Sequence, residues 1–224
     1  YALINKKNVF VEKPICFYNN EFQILKNLAK NNSTILHVNY IHIYNENFSS
    51  MVEIYKKNKN SKEISVKILL GNNGPIRENT SVLMDWGPHV FSMINYILDN
   101  HNYELIKSKI IRKSNNKMKY NIYLRFKYQN IYIYTLFGND YKNKNTNVTI
   151  SRGIDKFVYS DTSSNITMQN QSRINNFQNK SPLENSIGKF IKACEEKKSY
   201  ENILLDIITY QLEKIQSQLF EQSF

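Results

Sequence analysis

Residues 119–137 read KYNIYLRFKYQNIYIYTLF, and in them Tyr120, Ile122, Leu124 and Phe126 alternate with Asn121, Tyr123, Arg125 and Lys127. A period of two, rich in aromatic and β-branched residues, is the pattern of a strand with one covered face. Gln129-Asn130 supplies a tight turn, and residues 131–137 return as the partner strand. The stretch predicts a hairpin at the heart of a largely antiparallel sheet. Towards the C-terminus, residues 148–150 and 156–159 read as further short strands, and the polar, aperiodic residues 161–179 read as a long loop. Ser181-Pro182-Leu183-Glu184 is a capping box with Pro at the first helical position. Ile187, Phe190, Ile191 and Cys194 then share one helical face. A second helix carries Ile203, Leu204, Ile207, Ile208, Leu212, Ile215 and Leu219.

Towards the N-terminus, a helix is predicted to begin near Pro88, with Val90, Phe91, Met93, Ile94, Ile97 and Leu98 on its apolar face. Gly71-Asn72-Asn73-Gly74-Pro75 is a turn by composition, and residues 64–70 precede it as a strand. Residues 8–11 form a short apolar run, ended by Glu12-Lys13-Pro14 because Pro cannot continue a ladder. Phe22, Leu25, Leu28 and Ala29 follow at helical spacing, and residues 35–43 return to strand character. Strand, helix, strand is a βαβ unit whose two strands should be parallel. A short helix over 48–55 and a charged connector over 56–62 follow, and the domain boundary is placed there, giving units 1–58 and 59–224. The expected fold class is α/β, with an α+β second unit: a mostly antiparallel open sheet covered by helices.

Two places can carry chemistry. Lys13 stands at the carboxyl end of a parallel strand, where open α/β sheets bind ligands. A cis bond before Pro14 would aim its side chain, which could polarise a hydroxyl or carbonyl or shuttle a proton. Asp85 and His89 flank Gly87-Pro88. With Pro88 as the first helical residue, His89 would lie at the positive end of the helix dipole, which disfavours the imidazolium. A neutral His89 can accept the proton of a substrate hydroxyl, and Asp85 can orient the ring or touch the same substrate. No metal is expected, since His37, His42 and His101 offer no third-ligand spacing.

Composition narrows the classes. The 224 residues carry 41% hydrophobic and 22% charged side chains, ordinary for a globular protein. No run approaches the roughly 18 apolar residues of a membrane helix, and no secretory signal is expected from the opening residues. Only Cys16 and Cys194 occur, which points to two free thiols in a reducing, cytoplasmic setting. The net charge of +11 is scattered Lys rather than a basic stripe, so neither nucleic acid nor membrane is expected as a partner. Binding of single-stranded RNA through the Tyr- and Lys-rich hairpin ranks last among the readings.

Taken together, Val9-Phe10-Val11-Glu12-Lys13-Pro14, Leu36-His37-Val38-Asn39-Tyr40, Gly71-Asn72-Asn73-Gly74-Pro75 and Asp85-Trp86-Gly87-Pro88-His89 resemble the Gfo/Idh/MocA oxidoreductases (glucose–fructose oxidoreductase, inositol dehydrogenase and their relatives). The resemblance spans nearly the whole chain. It implies the end of a Rossmann domain at 1–58 and a substrate and oligomerisation domain at 59–224. It implies an NAD- or NADP-dependent dehydrogenase or reductase acting on a sugar, nucleotide sugar or polyol, with Lys13, Asp85 and His89 catalytic. Glu12, Lys13 and Pro14 would meet the cofactor, and a homo-oligomer would form through the sheet face. None of the six glycines forms the G-x-G-x-x-G turn that such a cofactor site begins with. The chain is therefore expected to be an incomplete, N-terminally truncated piece of the enzyme. A non-catalytic sugar-binding or protein-interaction module is the second reading.

Overall fold

The computed structural model describes residues 1–57, 63–74, 76–116, 118–161, 165–168, 174–175, 180–198 and 206–221. Strand β1 (Val9–Glu12), helix α1 (Asn19–Asn31) and strand β2 (Leu36–Asn39) form the expected βαβ unit. The strands pair in parallel, with Val9 opposite Leu36 and Glu12 opposite Asn39. The second strand is shorter than its β-branched and aromatic residues predict. At Tyr40 the backbone leaves the ladder (φ −89°, ψ 73°) and coils into a 3-10 turn at Ile41–Tyr44. Tyr40 and Ile43 are both buried, so core packing overrides strand propensity there. Helix α2 (Glu46–Lys57) follows and is longer than expected. The rest of the predicted connector, residues 58–62, lies outside the described residues.

The main sheet has eight strands: β3 (Ile64–Gly71), β4 (Glu104–Ile111), β5 (Asn121–Tyr128), β6 (Ile131–Gly138), β7 (Asn145–Arg152), β8 (Asp155–Ser160), β9 (Asn165–Met168) and β10 (Ile174–Asn175). Their order is β10-β9-β8-β7-β3-β6-β5-β4, and β3 with β6 is the parallel pair. The β5–β6 hairpin turns at Gln129-Asn130, with Gln129 at φ 52°. Strand β4 is absent from the sequence reading because a register shift between Leu105 and Lys107 breaks its alternation. Strands β9 and β10 correct the expectation of an unbroken loop over 161–179: β9 extends the ladder of β8, and β10 pairs with β9 at the sheet's margin. The remainder of that loop lies outside the described residues.

Val66, Ile68, Leu124, Phe126, Ile133, Phe137, Val148 and Ile150 all face one side and are buried. Over that side runs α3 (Val82–Leu98). Ser81 caps α3, its side chain accepting from the Met84 backbone N–H at 3.2 Å. This corrects the expected start at Pro88, which lies inside the helix. Asp85 is therefore in the first turn rather than outside it, and His89 lies a turn further in, beyond the strongest part of the dipole. Helix α4 (Pro182–Glu195) has the predicted capping box, with Ser181 and Glu184 exchanging hydrogen bonds. Helix α5 (Ile208–Glu221) packs across α3, where Gly87 lets Leu212 approach closely. The βαβ unit is fastened to α5: Glu213 accepts from the Asn19 backbone N–H at 3.2 Å, and Lys26 pairs with Asp206 at 2.7 Å. Among the described residues, no helix is long and apolar enough to cross a membrane.

A lysine, aspartate and histidine cluster as candidate active site

The end of β1 and the first turns of α3 meet. Pro14 terminates β1, and the Lys13–Pro14 peptide is cis. The Lys13 ammonium donates to the Asp85 backbone carbonyl at 2.5 Å and lies 3.2 Å from Asp85 Oδ1. Pro88 has no N–H to give to the carbonyl of Met84, so the α3 ladder is interrupted beside the carbonyl that Lys13 takes up. The other Asp85 oxygen, Oδ2, faces the Arg77 side chain at 3.5 Å. Lys13 is 14% exposed and Asp85 23%, whereas Arg77 is 62% exposed, so the inner pair is the better shielded of the two.

His89 faces the same cleft of about 190 Å³, lined by Lys13, Asn72, Gly74, Arg77, Asp85, Trp86, His89 and Asn139. Burial drives its pKa well below the ordinary histidine value, and the His42 ring and the Lys13 ammonium push the same way. The neutral imidazole expected from sequence thus has a different cause from the helix dipole. Its Nδ1 is buried without a hydrogen-bond partner, and so is Oδ1 of Asn72. Unsatisfied buried polar atoms are costly, by about 1–3 kcal/mol each, and Oδ1 of Asn72, a residue of the cleft wall, suits the cleft to a polar ligand. A second, larger cleft of about 490 Å³ adjoins it, sharing Arg77, Asp85, Trp86 and Asn139.

All three residues expected to be catalytic are therefore together. Glu12, expected at the cofactor, lies exposed at the β1 terminus, and its Oε1 accepts from Asn39 Nδ2 at 2.7 Å. Asn39 is fully buried, and its own Oδ1 has no partner. A carboxylate, an ammonium and an orphaned carboxamide at the carboxyl ends of two parallel strands fit a polar cofactor at that edge. The sequence reading missed Asn72, Arg77, Asn139 and His42 as site residues. Asn72 belongs to the Gly-rich turn and Arg77 follows it, and their position just ahead of a capped helix was the available signal. His42 gave no signal, because it was assigned to a strand. Among the described residues, no group of three His, Cys, Asp or Glu side chains could hold a metal ion.

A short parallel unit leading into a mostly antiparallel, helix-covered sheet is the fold of a dehydrogenase substrate-binding domain. Solved structures of that class align with nearly all of the chain. A dehydrogenase from Chromobacterium violaceum matches with a TM-score of 0.81 at 16% identity, over 99% of this chain and 72% of that one. The dehydrogenase MviM from Clostridium difficile matches with a TM-score of 0.74 at 20% identity, over 95% and 71%. KijD10, a 3-ketoreductase from Actinomadura kijaniata solved with TDP-benzene and NADP, matches with a TM-score of 0.72 at 13% identity, over 91% and 66%. At these identities the likeness is one of fold. No protein-family profile and no curated protein sequence matches the chain.

Proposed function

We propose that this chain is part of a Gfo/Idh/MocA-type oxidoreductase that interconverts a secondary alcohol and a ketone on a sugar, nucleotide sugar or polyol. The observation that carries the reading is the junction of Lys13, Asp85 and His89 in one cleft. The shared fold and the NADP held by KijD10 support it. A nicotinamide dinucleotide, NAD or NADP, bound beside Glu12, Lys13 and Pro14 would supply the hydride acceptor or donor.

The chain's own residues do the rest. Neutral His89 takes the proton of the substrate hydroxyl in oxidation and returns it in reduction. Lys13 places a positive charge beside the substrate oxygen, stabilising negative charge as the O–H bond breaks. Asp85 holds that ammonium at two points, so it is positioned before substrate arrives. Trp86 and Asn139 line the cleft. With Cys16 and Cys194 both free, a reducing cytoplasmic setting suits the chain. Self-association is proposed through the sheet face away from the helices, where Arg125 lies between Tyr132 and Tyr134 at 5.1 and 5.3 Å.

The test is an assay of the full-length protein with NAD⁺ and NADP⁺ against a panel of sugars, nucleotide sugars and polyols. Substrate-dependent growth of the reduced-nicotinamide absorbance is expected for one class. Tight sugar binding with no dinucleotide response would instead favour a non-catalytic module.

A further inference from the structure

His42 lies on the 3-10 turn after β2, and its ring meets the His89 ring edge-to-face, with centres 4.8 Å apart and planes at 86°. The His89 atom left without a partner is Nδ1, buried inside the protein. The negative charge of Asp161, just past the end of β8, favours protonation of the His42 ring. Asp161 pairs with Lys144, and the two side chains are 29% and 67% exposed, so the pair reaches water. His89 in the cleft is thus in ring contact with His42, and the Asp161–Lys144 pair, whose charges act on His42, is open to water.

Hydride transfer creates a need for such a path. Oxidation of an alcohol releases a proton that His89 must lose before the next turnover, while substrate and dinucleotide fill the cleft side. We propose that His42 is the proton relay between His89 and solvent, a role that rests on the hydride-transfer reading above. In oxidation the hydroxyl O–H bond breaks and its proton moves to Nε2 of His89. The C–H bond breaks in the same event, its hydride leaving for the bound nicotinamide as the C=O bond forms. The proton on Nδ1 then passes to His42, directly or through one bridging water, and from His42 to water beside Asp161. Reduction runs the same path inward.

The charges around the pair suit a carrier that does not keep its proton. Burial lowers the His42 pKa to about 4, and Lys144 and Lys13 also lower it, against the opposing influence of Asp161. From α3, which bears His89, the neighbouring carboxylate Asp85 is already engaged by Lys13 and Arg77. On α2, Glu46 is turned towards Asn185 of α4. A proton on His42 is therefore held weakly and released to solvent.

The experiment compares His42→Ala and His42→Phe with wild type in the full-length protein, by steady-state kinetics with and without added imidazole. A ring-resolved NMR titration of His89 in unliganded protein accompanies it. We expect kcat to fall about tenfold to a hundredfold in both variants, with KM and dinucleotide affinity unchanged. Imidazole should restore His42→Ala but not His42→Phe, whose ring fills the space. The His89 titration midpoint should rise in both. Wild-type kcat in His42→Phe, or a loss in His42→Ala that imidazole leaves in place, overturns the relay. A wild type inert with every alcohol removes the hydride-transfer reading and the relay with it. An active wild type with an equally active His42→Phe removes the relay alone.

Discussion

Asp85 gives its backbone carbonyl and one carboxylate oxygen to Lys13 and its other oxygen to Arg77, so one residue fixes two cations. The arrangement depends on a compact ammonium on a long stem. An Arg at position 13 keeps the charge but spreads it over a wide planar fork that cannot fit both contacts, and it cannot give up a proton. Lys13→Arg is expected to leave the thermal midpoint nearly unchanged while lowering turnover by about two orders of magnitude or more, read by calorimetry and steady-state kinetics side by side. At this scale short motifs in the sequence picked out residues that the fold brings together: Lys13 before a strand-ending Pro, and Asp85 one helical turn before His89. It was silent about contacts made across the chain. The His42 and His89 rings meet although 47 positions separate them, and nothing local to His42 signals that.

Among the elements, the hairpin of β5 and β6, the parallel pair β1 and β2 and the capping box of α4 were all legible, because each depends on residues close in sequence. The start of α3 was misplaced. Pro88 is a good first-turn residue, but Ser81 is a better cap, and six helical residues precede Pro88. Strand β4 stayed hidden behind its irregular register. The end of β6 illustrates how a strand terminus is held beside the clefts. Gly138 has φ 152°, and a Cβ there would stand 2.4 Å from the Tyr120 carbonyl oxygen and 2.8 Å from Asn121 Cα. Backbone atoms cannot move aside as a side-chain tip can, so Gly138→Ala should cost about 1–3 kcal/mol by urea denaturation. It should also displace Asn139, which lines both clefts. Wild-type stability in that variant would show that the strand end is free to move.

Over the whole molecule, burial of neutral histidines couples stability to pH. His37 and His42 are both lowered from 6.5 to about 4, mainly by burial, and burial lowers His89 in the same direction. Because the folded values lie below the unfolded one, the unfolded chain binds more protons between them. Stability is therefore full above about pH 6.5 and is lost as pH falls towards 4, with unfolding near pH 5 taking up about one proton per histidine. Denaturation midpoints measured from pH 7 to pH 4.5 should fall steadily, and a flat profile would contradict the burial of these rings. The open sheet face belongs to this scale too. Arg125→Glu reverses the charge between two tyrosines and should lower the mass seen by light scattering if that face joins copies. The central claim is that a strand-end lysine and a helix-borne histidine form one proton-handling site for hydride transfer. It is tested most directly by measuring His89→Ala in the full-length protein, with turnover and dinucleotide affinity determined on the same sample. The account predicts turnover reduced by about two to four orders of magnitude with dinucleotide binding intact, and near-normal turnover would contradict it.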